Sequence, residues 1–596
     1  MKRQFLFNKI SSWLRPFAYV LLPLGGGWIG LSACSDFDDY NDGVADATPM
    51  ANHTLWQNIQ QNDELSDFAA LVKKTGFDGE LNASHAYTVW APMNGTFDAS
   101  QYQNLDQQAL LRQFVKNHIA DYSHQATGLF EERVLMLNDK SYTFGGSSVY
   151  TFGENKVERA NQPSNNGLLH ILNGVVPFHS NLYEYITDSL LSLGKDIDSL
   201  RCYVKAYEKT ELNEEASVLG PIVNGMQTYV DSVMETSNSL WRDLGVSMNQ
   251  EDSSYLAVLP SNTAWLKAYD KAKSYFNYCA TTKAQTFTNG NLNPTPASLT
   301  IDPAYWQDSL ACLSIVSNLF FNKNDRYNTW LDGGTPSAAG VDTLRSTNNR
   351  KLSNPNDILA QATSTVELSN GKGLIVDSLA MYPWETYAPE RSISAASNRN
   401  IARVVTGSSE SWRLTFDDPE REDFSYNHVI PSGGYGKPEL DLYLPNVQST
   451  TYSLYCVFVP PYDDKKAEVL PNRVIFTLNY CDASGNLKDY EFLDESEENI
   501  SAFQAQFDLK DNSSNRTTIR AFSNNPYKID TLYIGDFTFP VSYTGLGTEY
   551  CPNIKITSPF SVFNKSLTSA FTRDLRIASI ILKPKELVEF EESNKK

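Results

Sequence analysis

Seven histidines, at positions 53, 85, 118, 124, 170, 179 and 428, are the scarcest acid–base groups of the chain. A zinc protease sets two of them around a glutamate in HExxH, and a serine hydrolase carries its nucleophile in GxSxG. Neither pattern occurs, nor does a P-loop or an EF-hand loop. Glycoside hydrolysis needs only two carboxylates at a suitable distance. The 70 Asp and Glu residues offer many pairs and mark none. No catalytic residue is assigned, and the chain is expected to be no enzyme and to need neither cofactor nor metal. His118 and His170 stand among apolar neighbours, the setting of hydrogen-bonded core histidines.

Binding chemistry is better represented. The C-terminal third carries Tyr435, Tyr443, Tyr452, Tyr455, Tyr462, Tyr527, Tyr533 and Tyr543. An aromatic face stacks on a sugar ring and its hydroxyl adds a polar handle, although strand aromatics also serve as core and cross-strand pairs. Tyr435 lies in the loop from Pro431 to Gly436, and Tyr462 in Pro460-Pro461-Tyr462-Asp463-Asp464. These two are the candidate ligand contacts, with a glycan as the ligand. Asp463 and Asp464 alone fall far short of a calcium ligand set. Cys202, Cys279, Cys312, Cys456, Cys481 and Cys551 are scattered without a CxxC, and read as small buried hydrophobes. A Cys456–Cys481 disulfide stays open if their strands are neighbours.

Cys34 has a different chemistry. It ends Leu31-Ser32-Ala33-Cys34 after an apolar stretch from Pro16 to Gly30, with Lys2, Arg3, Lys9 and Arg15 ahead of it. A basic start, an apolar run and small residues before the cut make a secretory signal. The four residues resemble the bacterial lipobox, whose cysteine becomes the lipidated first residue. Acyl chains contribute about 0.8 kcal/mol per buried methylene, so the expected partner is a membrane, held through Cys34. Ser35-Asp36-Phe37-Asp38-Asp39-Tyr40-Asn41-Asp42 is too polar to pack and reads as a tether. It also resembles the surface-export signal of outer-membrane lipoproteins in Bacteroidota, which implies an outer-membrane protein facing the cell exterior.

The formal charge is −21, and becomes more negative when the signal's cations are removed. Nucleic acid requires clustered cations, so none is expected as a partner. Anionic headgroups are disfavoured for the same reason. The length exceeds one hydrophobic core and implies about three or four domains.

Helical spacing in Leu55-Trp56-x-x-Ile59 and Leu65-x-x-Phe68-x-x-Leu71-Val72 opens the first domain. Then come Thr88-Val89-Trp90-Ala91-Pro92-Met93-Asn94-Gly95-Thr96-Phe97, an amphipathic helix over 105–119, short strands near 140–144 and 148–152, and a closing run from Asn166 to Val176 with His170 inside. The first and last runs resemble the two conserved boxes of the fasciclin (FAS1) domain. His118 follows Asn117 where animal members often carry Tyr-His; the resemblance implies a structural role for it. A worn second copy follows, with helices at 182–186, 200–204 and 306–321. Its Leu259-Pro260-Ser261-Asn262 echoes the first box, and Gly373 is equated with Gly167. Its extra length is assigned to the polar stretches 281–300 and 331–358.

From about 400 the period becomes that of strands: 412–416, 439–444, 452–459, 473–480, 503–507, 531–534 and 575–582. Long helical periodicity is absent until the tail. The pattern is similar to a jelly roll of the galactose- or carbohydrate-binding type. The expected fold is thus α+β and multidomain: signal peptide 1–33, acidic tether 34–50, FAS1 domain 51–185, degenerate FAS1-like domain 186–395 with insertions, and jelly-roll sandwich 400–590. The expected function is a surface-exposed, lipid-anchored binding protein. It would serve TonB-dependent, starch-utilisation-type transporter proteins in nutrient uptake, or else act as an adhesin or glycan binder through the jelly roll.

Overall fold

The computed structural model describes residues 49–595 apart from 190, 193, 216, 224–225, 232–233, 280–286, 289–290, 293–301, 333–342, 406, 415–423, 432–436, 462–468 and 546–549. Cys34, Tyr435, Tyr462, Asp463 and Asp464 lie outside the described residues. The chain divides into two units, 1–178 and 179–596. No helix among the described residues is long and apolar enough to cross a membrane.

In the first unit, helix α1 (Leu55–Gln60) starts where Thr54 and Gln57 form a capping box. Helix α2 (Ser66–Thr75) buries Phe68, Leu71, Val72 and Thr75 and ends at Gly76, whose φ of 79° closes the last turn. The strands are β1 (Tyr87–Pro92), β2 (Ile119–Asp121), β3 (Phe130–Leu135), β4 (Ser141–Gly146), β5 (Tyr150–Phe152), β6 (Asn155–Ser164) and β7 (Gly167–Leu172). They form one sheet in the order β2-β1-β7-β6-β5-β4-β3. β1 and β7 are parallel, with Tyr87 opposite Gly167 and Trp90 opposite His170. β1 is buried on both faces, so its residues split by parity. Val89 and Ala91 pack with Leu169 and Ile171 under the helices. Trp90 and Leu172 pack with Val134, Phe144 and Phe152 on the other side.

The helix expected over 105–119 is shorter and broken. It runs over Gln107–Leu110, widens into a π-helical turn over Leu111–Val115, tightens over Lys116–His118, and yields to β2 at Ile119. Side chains occupy the carbonyls of its last turns: Asn138 Nδ2 donates to Arg112 O at 2.9 Å, and His118 Nδ1 meets Phe114 O at 2.7 Å.

The second unit begins with helices Leu182–Thr187 and Asp198–Lys205. A four-stranded sheet follows, in the order Phe320–Asn322, Tyr255–Pro260, Gly371–Val376, Ala362–Leu368. Strand 255–260 is parallel to 371–376, with Tyr255 opposite Gly371, and antiparallel to 320–322. Gly371, not Gly373, therefore takes the register position that Gly167 holds in the first unit. The expected helix 306–321 spans Pro303–Val316, and its last residues belong to strand 320–322.

Two antiparallel strand pairs, 208–212 with 234–238 and 218–223 with 226–231, lie in sequence between helices Asp198–Lys205 and Leu240–Leu244. No insertion is expected here from the sequence. Most of 281–300 lies outside the described residues, while 331–358 includes the hairpin 344–345/351–352 and the start of helix Pro355–Ala360.

The C-terminal part holds two antiparallel sheets around one core. The first runs 407–414, 424–431, 575–584, 451–458, 530–538, with 391–394 beside the C-terminal half of 575–584. The second runs 401–405, 439–443, 553–557, 473–481, 487–492, with 522–523 also beside 473–481. Leu454, Cys456 and Phe458 meet Leu440, Phe476, Leu478 and Ile554 between them. Removing one such buried Phe side chain costs about 3–5 kcal/mol.

Residues 503–507, expected as a strand, end a helix spanning Glu497–Phe507. Ser496 caps it through Asn499 N, Glu497 and Glu498 favour its first turn, and Phe503 and Phe507 share a face against Phe571. Cys456 belongs to the first sheet and Cys481 to the second, so their strands are not neighbours.

Candidate functional site

His118 and His170 form no acid–base site. His118 is buried, with Nδ1 on Phe114 O at 2.7 Å, so Nδ1 donates, while Nε2 accepts from Val176 N at 3.0 Å. His170 reverses the tautomer: Nε2 donates to His124 O at 2.9 Å and Nδ1 accepts from Asn161 N at 3.3 Å. Burial pushes both down to about 4, so both are neutral at pH 7. His170 stacks on Trp90 at 5.5 Å between centroids, and Phe152 covers the same indole at 4.3 Å. The neighbouring Asn117 is equally engaged: its Oδ1 accepts from Asn138 Nδ2 and the Tyr142 hydroxyl, and its Nδ2 donates to Val176 O. The described residues include no group of three or more His, Cys, Asp or Glu placed to hold a metal ion.

An open groove of about 330 Å³ lies on the sandwich, lined by Ser392, Ser394, Ser425, Val457, Ile529, Ala578 and Ser579. Strand pairing builds it. Ser579 faces Ser394 on one neighbour and Val457 on the other, so three strands bring them into one row. Period-2 alternation places Tyr455, opposite Ile581, on the same face as Val457. Tyr455 meets Tyr533 at 5.4 Å between ring centroids, and the Tyr533 hydroxyl donates to Asp536 Oδ1 at 2.8 Å. Of the eight tyrosines singled out in the sequence, these two are brought together near the groove. Tyr452 is buried and donates to Gln448 Oε1 at 2.7 Å, and Tyr543 is buried in the core.

The lining combines four serine hydroxyls with three apolar side chains and has no charged residue. Sequence reasoning missed the serines because it looked for aromatics. One signal was present: Ser579 interrupts the otherwise apolar run Ile577 to Leu582.

Residues 63–177 match the Fasciclin domain family. The match takes in both boxes, with Asn94 and His170. The boxed Asn94 ties the helix start to the strand end: its Oδ1 accepts from Asp67 N at 3.0 Å and its Nδ2 donates to Asp63 O at 2.8 Å. Among solved structures, the chain is similar to a FAS1 domain pair from the insect cell adhesion molecule fasciclin I. That likeness has 13% identity over 55% of this chain and 99% of the other, with a TM-score of 0.20. It is also similar to the tandem CBM22 domains of Paenibacillus barcinonensis Xyn10C, at 11% identity over 33% of this chain and 45% of that one, with a TM-score of 0.17. No curated protein matches the chain.

Proposed function

We propose that this chain is a non-enzymatic, lipid-anchored binding protein on the outer face of an outer membrane. In this reading it is an accessory subunit of a TonB-dependent, starch-utilisation-type uptake complex. One observation carries the non-catalytic part: His118 and His170, the histidines of the fasciclin boxes, spend both ring nitrogens on structural hydrogen bonds. The anchor rests on Leu31-Ser32-Ala33-Cys34 and the acidic run behind it. The middle lobe is read as a second, degenerate FAS1-like domain, supported by the shared register of strands 255–260 and 371–376. The C-terminal sheets are read as a jelly roll. Affinity purification from detergent-solubilised outer membrane tests the assignment. A transporter should co-elute, and elution alone would defeat the complex.

A second reading, glycan capture by the sandwich at the cell surface, is favoured by the serine-lined groove. The full chain should then give signal on a glycan array, and a broad array without signal removes this reading.

A further inference from the structure

Cys279 and Cys481 are 202 positions apart in sequence, yet their sulfurs lie 3.7 Å apart. Both are buried, packed with Val541 and Tyr550. Cys481 ends strand 473–481 opposite Leu487. The turn behind it is fixed by Asp482, whose Oδ1 accepts from Ser484 N and Asn486 N at 2.9 Å each. Cys279 ends a segment that leaves the helix Asn262–Lys273 of the middle lobe and is bonded along its length into the sandwich. Ser449 N donates to Tyr275 O at 3.0 Å, Asn277 N to Ser449 Oγ at 2.9 Å, and Ser542 N to Asn277 O at 2.6 Å. The hydroxyls of Tyr278 and Thr544 meet at 2.5 Å. Backbone thus delivers both thiols to one point from opposite sides of a seam.

We propose that Cys279 and Cys481 close into a disulfide when the chain meets a disulfide oxidant, stapling the middle lobe to the sandwich. A sulfur–sulfur bond is about 2.05 Å, so closure needs an approach of less than about 2 Å. Each thiol loses its proton, one S–S bond forms, and two electrons reduce the oxidant's disulfide to two thiols. The other described cysteines are placed differently: Cys202 is exposed, Cys312 half-buried, and Cys456 and Cys551 sit in the sandwich core. Where the oxidant is met in the cell rests on the export reading; the pairing itself does not.

The purified, reduced full chain is incubated with glutathione disulfide, remaining thiols are alkylated, and a non-reducing digest is read by mass spectrometry. The expected product links the Cys279 and Cys481 peptides and disappears with dithiothreitol. Its thermal midpoint should exceed that of the reduced chain by about 5 °C or more, and Cys279→Ser should abolish both effects. Alkylation of both thiols, linkage of either to another cysteine, or a linked form with no gain in midpoint overturns the proposal. Thiol trapping in intact cells separates the two readings. A link found there supports the staple and export together. Thiols free in the cell but paired in the tube leave the staple standing and count against export.

Discussion

Asn166 and Asn370 do the same work in two different sheets. Asn166 Oδ1 accepts from Leu55 N at 2.7 Å, and its Nδ2 donates to Leu81 O and Ala83 O at 3.0 and 2.6 Å. Asn370 Oδ1 accepts from Leu182 N at 2.9 Å, and its Nδ2 donates to Met248 O and Gln250 O at 2.8 and 3.0 Å. Each side chain joins the start of a helix and the segment before the central strand to the turn that opens the parallel partner strand. Replacing either by Ala leaves buried backbone groups unpaired and should cost roughly 2–4 kcal/mol. Urea unfolding of Asn166→Ala and Asn370→Ala measures it; a neutral result at one position would end the equivalence.

The glycines that follow them are just as constrained. Gly167 has φ of +147° and Gly371 +146°, and a Cβ on either would sit 1.9 Å from the carbonyl oxygen of Tyr87 or Tyr255. Gly167→Ala and Gly371→Ala should each lose about 4 kcal/mol or more. Gly76→Ala, at φ +79° with nothing within 4 Å, should lose only about 1 kcal/mol. Similar losses at Gly76 and Gly167 would show that the backbone approach is not the cause.

Stability of the first unit should fall in acid through two named groups. His118 and His170 titrate at about 4 when folded, against about 6.5 unfolded. The unfolded chain therefore binds more protons between those values. The histidines' contribution is intact above pH 6.5 and is lost as pH falls toward 4, on the order of 3 kcal/mol each. The urea midpoint measured from pH 7 to pH 4 should drop less steeply in His118→Gln than in the parent chain. Parallel curves would refute this origin.

If the sandwich captures glycan as proposed, filling the groove should remove that binding and spare the fold. Ser579→Trp places an indole between Ser394 and Val457. Glycan-array signal should vanish while the thermal midpoint moves by no more than about 2 °C. Undiminished binding would place the ligand site elsewhere.

Loss of the proposed anchor should change location alone. Cys34→Ala is expected to move the chain from the membrane to the soluble fraction with its circular dichroism unchanged. Membrane retention after this change would rule out the lipid at Cys34.

The helix Glu497–Phe507 shows why parts of the fold were hard to read. Phe503-Gln504-Ala505-Gln506-Phe507 satisfies strand alternation and the helical i, i+4 spacing equally. Only the Ser496 cap and the acidic first turn separated them. Equating Gly373 with Gly167 is off by two residues in strand register. Asn370-Gly371, which repeats Asn166-Gly167, was the physically meaningful pair. At the sandwich, attention to aromatics selected Tyr435 and Tyr462. Those two lie outside the described residues, and the serines and apolar residues of the groove become neighbours only when strand pairing places them side by side.

The sequence by itself determined the local rules of this protein: the capped helices, the buried strand from Tyr87 to Pro92, the fasciclin boxes, and the change to strand period near 400. These follow from side-chain chemistry within a few residues, and a linear chain displays such chemistry directly. The tertiary structure alone decided which distant residues meet. Ser394, Val457 and Ser579 share a groove, Cys456 and Cys481 fall on opposite sheets, and Cys279 reaches Cys481 across 202 positions. Strand order and register set those meetings. Shifting one strand by a residue would turn its alternate side chains to the opposite face without changing a letter of the sequence.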